Sequence, residues 1–123
     1  MTKKQTEKFL NTCIDLFQLN TWIVKLEMVP SKYLDGICKV AECCYSVESM
    51  SASIQVSSLQ TEDEIKLSII HELLHLCMSE ITALVDNASA GKSDDFKQLM
   101  NELVYQKAEE CVIRLERAFA KIG

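Results

Sequence analysis

TEDEIKLSIIHELLH, residues 61–75, decides the reading of this chain. Thr61 followed by Glu64, with acids at 62 and 63, is a capping box. The helix it opens is expected to run through about Ser79, or on to Asp86. His71 and His75 are the only two histidines among 123 residues, and Glu72 directly follows the first. Residues i and i+4 sit one turn apart on the same helix face, so two imidazoles can grip one metal ion. A glutamate at i+1 is turned away by about 100°. It can reach a metal-bound water and take its proton as general base.

The rest of the helix agrees with this. At about 100° per residue, Glu64, Ser68, His71, Glu72, His75, Ser79, Thr82 and Asp86 share one sector. Ile69, Ile70, Leu73, Leu74, Leu76 and Cys77 lie outside it. The pattern describes a helix embedded on most sides with one polar stripe. A stripe that merely faced water would favour lysine, arginine and glutamate at its centre. Here the centre is serine, histidine, glutamate and histidine.

A catalytic zinc site ordinarily has three protein ligands and a water. With no histidine left, the third must be an acid or a cysteine. Glu80 and Cys77 face the far side of the same helix. Asp86 has a suitable angle but lies roughly 16 Å beyond His75. The ligand is therefore expected from another element. A last long helix, capped by Ser93 or Asp94 and ending near Ile122, offers candidates. Val104, Ala108, Cys111, Val112, Leu115, Phe119 and Ile122 mark its expected buried face. Glu109 borders that face and Glu110 points to solvent, while Glu102 and Glu116 share the Glu109 edge as weaker rivals.

Upstream, Phe9, Leu10, Cys13, Ile14 and Phe17 have helical spacing, so residues 4–19 are read as a first helix. Strands are expected at Trp22–Val29, ended by Pro30, at Ile37–Val47 after an Asp35-Gly36 turn, and at Ser53–Val56. Asn87–Ser93 is expected as a loop. The fold class is α+β, one domain over 1–123 with a small, mostly antiparallel sheet. The chain is 48% hydrophobic with 3 Gly and 1 Pro, a globular composition. The net charge of −5 argues against a nucleic-acid partner. No uninterrupted apolar run approaches the roughly 20 residues of a membrane span, and the N-terminus lacks a secretory apolar region. The expectation is a cytoplasmic protein whose six cysteines are reduced, small core residues. A second metal site built on Cys38, Cys43 and Cys44 is the lesser alternative.

HELLH, followed in the last helix by EECVIRLERAF from Glu109 to Phe119, resembles the minimal gluzincin metallopeptidases, particularly small phage- or prophage-encoded zincin-like proteins. The resemblance implies an N-terminal helix, a small sheet, an HEXXH helix and a glutamate helix. It implies that His71, His75 and Glu109 bind Zn²⁺, that Glu72 is the general base, and that the substrate is a peptide or protein. The family often places Asp or Asn four residues after the ligating glutamate; Ile113 stands there. Tyr45 and Tyr105 are the candidates for its oxyanion-stabilising residue. The Ser53–Val56 strand is a candidate edge for an extended substrate. A zinc-stabilised phage or prophage binding module without turnover is the alternative function.

Overall fold

The computed structural model describes residues 1–34 and 39–122, apart from the side chains of residue 80 and residues 118–122. Its order is α1 (Lys3–Leu16), β1 (Ile23–Val29), β2 (Ala41–Ser46), β3 (Ser51–Ser57), α2 (Glu62–Ala88) and α3 (Asp94–Ile122). Three helices and a three-stranded sheet make an α+β fold.

α1 opens on a second capping box, Thr2 with Gln5. It stops at Leu16, short of the expected residue 19. Gln18 adopts φ +57°, and the Leu19 amide donates back to the Ile14 carbonyl, which is the left-handed ending that closes many helices. The expected Asp35-Gly36 turn, the start of the expected second strand and Cys38 lie outside the described residues.

The sheet is mixed, which corrects the expectation of a mostly antiparallel one. Its order is β1-β3-β2. β3 runs parallel to β1 and antiparallel to β2, with Leu26 opposite Ile54 and Cys43 opposite Ile54. β2 and β3 form a tight hairpin, and β3 then enters between β2 and β1. A strand so placed has both edges paired. Ser53–Val56 therefore cannot be the edge that receives a substrate; β2 is the edge strand on that side.

Alternation along β3 makes the sheet two-faced. Ala52, Ile54 and Val56 point into the core, with Ile54 and Val56 fully buried. On the opposite face Gln55 donates to Glu27 at 3.0 Å. α2 covers the apolar face through Ile65, Ile69, Leu73 and Leu76, and Leu10 and Cys13 of α1 complete the cluster. Burying each such aliphatic side chain contributes roughly 1.5–3 kcal/mol, so this layer dominates the stability.

α2 begins at its Thr61 cap as expected, with the Glu64 amide donating to Thr61 Oγ1 and the Thr61 amide to Glu64 Oε1. It continues past Asp86 to Ala88, so Asn87 and Ala88 are helical and only residues 89–93 form the loop. Gly91 supplies a left-handed residue there at φ +81°. Ser93 is the α3 cap, accepting the Phe96 amide at 3.2 Å. By length and hydropathy α2 passes the test for a membrane span, although its first half is the core helix of this fold.

The expected burial needs two corrections. On α3, Ala108 and Val112 are buried, but Cys111 and Leu115 are exposed; the side chains of Phe119 and Ile122 lie outside the described residues. Among the cysteines, Cys13 is buried and Cys43 partly so, whereas Cys44, Cys77 and Cys111 are exposed thiols. The latter three sit on faces that no other described element covers. Cys43 and Cys44 are consecutive in β2 and point to opposite faces, which removes the basis for a shared cysteine site.

Candidate metal centre

α2 and α3 are joined by a short loop and pack antiparallel. Positions equally far from the loop along the two helices therefore meet. Tracing α2 back from the loop reaches His75 and then His71; tracing α3 forward over a similar length reaches Glu109 and then Glu116. Helix rotation then selects which acids face the histidines. Glu109 and Glu116 stand two turns apart and so share one edge of α3.

His71, His75 and Glu109 converge into a group that can hold a metal ion. His71 Nε2 and His75 Nε2 are 3.1 Å apart. Glu109 places Oε1 3.3 Å from His71 Nε2 and Oε2 2.9 Å from His75 Nε2. Tetrahedral ligand atoms at bond lengths of about 2.0–2.1 Å stand about 3.3 Å from each other, so the three donors are already near the spacing that such an ion requires. Burial holds His75 below the ordinary imidazole value, favouring the neutral ring that a metal ligand must be.

Glu116 is hydrogen-bonded to His71 Nδ1. With the Nδ1 proton directed to that carboxylate, the lone pair of His71 is on Nε2, the atom facing His75 and Glu109. Ile113, four residues after Glu109, has no polar atom to offer. Glu116, one turn further along the helix, is the acid that reaches His71. The two other acids weighed as ligands are elsewhere: Glu110 pairs with Lys107 and Glu102 with Gln98.

These groups line a cleft of about 600 Å³ between α2, α3 and β2. From α2 come Leu67, Ser68, His71, Glu72 and His75; from α3, Glu109 and Glu116. The opposite wall is Lys39, Val40, Ala41, Glu42, Cys43 and Tyr45. Glu72 is buried in this wall-to-wall space. Burial pushes its carboxyl above the usual range, opposed by the charges of His71 and Lys39; a base with a raised pKa holds an abstracted proton better. Lys39 is tied to Glu42 at 3.0 Å. Tyr45 stands at the cleft, edge-on to Trp22, whereas Tyr105 donates to Asp86 at 3.4 Å and is not among the lining residues.

Sequence reasoning assembled the two histidines, Glu72 and Glu109, but missed what Glu116 and the Lys39–Tyr45 wall do. The two-turn spacing of Glu109 and Glu116 was the available signal for the first. The second had no local signal, because strand order is a long-range property. No protein-family model, curated protein or solved structure matches this chain.

Proposed function

We propose that this chain is a zinc-dependent peptidase of the gluzincin type, with a zincin-like arrangement of its helices and sheet. The observation that carries the reading is the convergence of His71, His75 and Glu109 beside the buried Glu72 in one cleft. Two imidazoles and a carboxylate suit zinc among the common divalent ions. His71, His75 and Glu109 would hold the zinc, which would lower the pKa of a bound water toward about 7 and polarise a carbonyl. Glu72 takes the proton from the attacking water and passes it to the leaving amine. Glu116 holds His71 in the tautomer and orientation that ligation needs. Tyr45, which lines the cleft, is assigned to donate toward the oxygen on which charge develops. The substrate is a peptide or protein segment, laid in extended form along the open edge of β2.

The test is elemental analysis of untagged protein for the wild type, Glu109→Ala and Glu110→Ala, followed by a peptide-library digest with wild type and Glu72→Gln. The reading expects about one zinc per chain, lost in Glu109→Ala and kept in Glu110→Ala. Glu72→Gln keeps zinc and loses cleavage. Wild-type protein that takes up no zinc when it is offered refutes the site. Bound zinc with no wild-type cleavage refutes the peptidase and leaves the zinc-stabilised binding module.

A further inference from the structure

The α2–α3 hairpin continues well past the metal centre. α2 runs on from His75 to Ala88, and α3 starts at Asp94, several turns before Glu109. At 1.5 Å per residue, about 20 Å of paired helix extends beyond the site. The buried apolar side chains of α2 end at Leu76, and beyond it Ile81 and Leu84 are 57% and 68% exposed. Phe96, Leu99 and Leu103 of α3 are likewise exposed. On α2 the buried seam residues in this region, Ser79 and Thr82, are small and polar.

Helix rotation shows that these five side chains share one face. Measured from Thr82 on the α2 seam, Ile81 and Leu84 lie about 100–160° round in the negative sense. Measured from Val104 on the α3 seam, Phe96, Leu99 and Leu103 lie about 80–140° round in the same sense. Two antiparallel helices with facing seams are related by a twofold axis across them, so equal senses of rotation reach the same face. Glu72, Glu109 and Glu116 lie in the opposite sense, and the cleft opens on the other side.

At about 200 Å² for a fully exposed large apolar side chain, the five leave roughly 500 Å² of apolar surface on this face. A standard stable interface takes about 800 Å² from each partner, about two thirds of it apolar in homodimers. The patch supplies that share. Among the described side chains, no charged one interrupts it between Cys77 and Ala88 on its side of α2, or from Phe96 to Leu103 on α3. Face-to-face contact of two hairpins also gives each weak two-helix seam the core of a four-helix bundle. We propose that this face joins two copies of the chain into a symmetric dimer, leaving both metal centres open on the outer sides.

Sedimentation velocity over about 1–100 µM tests the proposal, since a dimer obeys mass action. Wild type is expected at twice the 13.9 kDa chain mass. Leu84→Glu with Leu99→Glu is expected to raise the dissociation constant about 100-fold or more, with helical circular dichroism retained. Leu99→Ser, milder to the fold, is expected to weaken the dimer in the same direction, and Glu48→Lys, in the distant β2–β3 turn, to leave it unchanged. A wild type that stays monomeric throughout overturns the proposal, as does a folded double variant with an unaltered dissociation constant. A monomer that floats with phosphatidylcholine vesicles overturns it in favour of a lipid surface.

Discussion

Replacing Glu116 by alanine removes the acceptor at His71 Nδ1 while leaving all three candidate ligands in place. The imidazole then loses the contact that fixes its tautomer and its ring plane. Loss of such an outer carboxylate ordinarily costs 10–100-fold in metal affinity, about 1.4–2.7 kcal/mol. The His71 and Glu116 side chains are 24% and 22% exposed. Water can therefore replace part of the lost bond, which places the expected effect near the lower end, about tenfold. Glu116→Gln retains an acceptor oxygen without the charge and should fall between wild type and alanine. The assay is competition for zinc against a chromophoric chelator at fixed pH, with Glu110→Ala as the control, since Glu110 is engaged with Lys107. An affinity within about twofold of wild type for Glu116→Ala would refute the assignment. A loss as complete as that of Glu109→Ala would also refute it, by making Glu116 a ligand.

Leu73 is fully buried between α2 and the sheet, so Leu73→Ala should destabilise the fold by about 2–5 kcal/mol in urea unfolding; a change under about 1 kcal/mol would mean that α2 does not form the core layer described. Thiol labelling near neutral pH should separate the cysteines. Burial pushes the Cys13 thiol up to about 11 and Cys43 up to about 12, which leaves little of either as the reactive thiolate. Exposed Cys44 and Cys111 should therefore react before Cys13 and Cys43, and equal rates at Cys13 and Cys44 would contradict the burial. Chelation of zinc-loaded protein should lower its melting temperature, because a metal that binds only the folded state stabilises it by mass action.

Features governed by neighbours within one or two turns were legible in the residues themselves. Thr61 and Glu64 announced the start of α2, and the spacing of His71, Glu72 and His75 put two imidazoles and a carboxylate on one polar stripe. Glu109 was reached because its position on α3 is also a matter of helical period. Elements whose ends depend on a single backbone residue were less legible: Gln18 ends α1 through a left-handed turn that apolar spacing does not reveal.

What the sequence by itself determined is the local chemistry: an N-capped helix with its stripe, and an acid-bearing helix after it. The tertiary structure alone decided that β3 enters between β1 and β2, and so which strand is the open edge beside the cleft. It also decided which α3 acids meet the histidines, with Glu109 beside the facing Nε2 atoms and Glu116 at His71 Nδ1. The physical reason is the range of the forces involved. Capping and helical period act over a few residues, whereas strand order and the rotation of α3 against α2 are set by burial of whole faces across the chain.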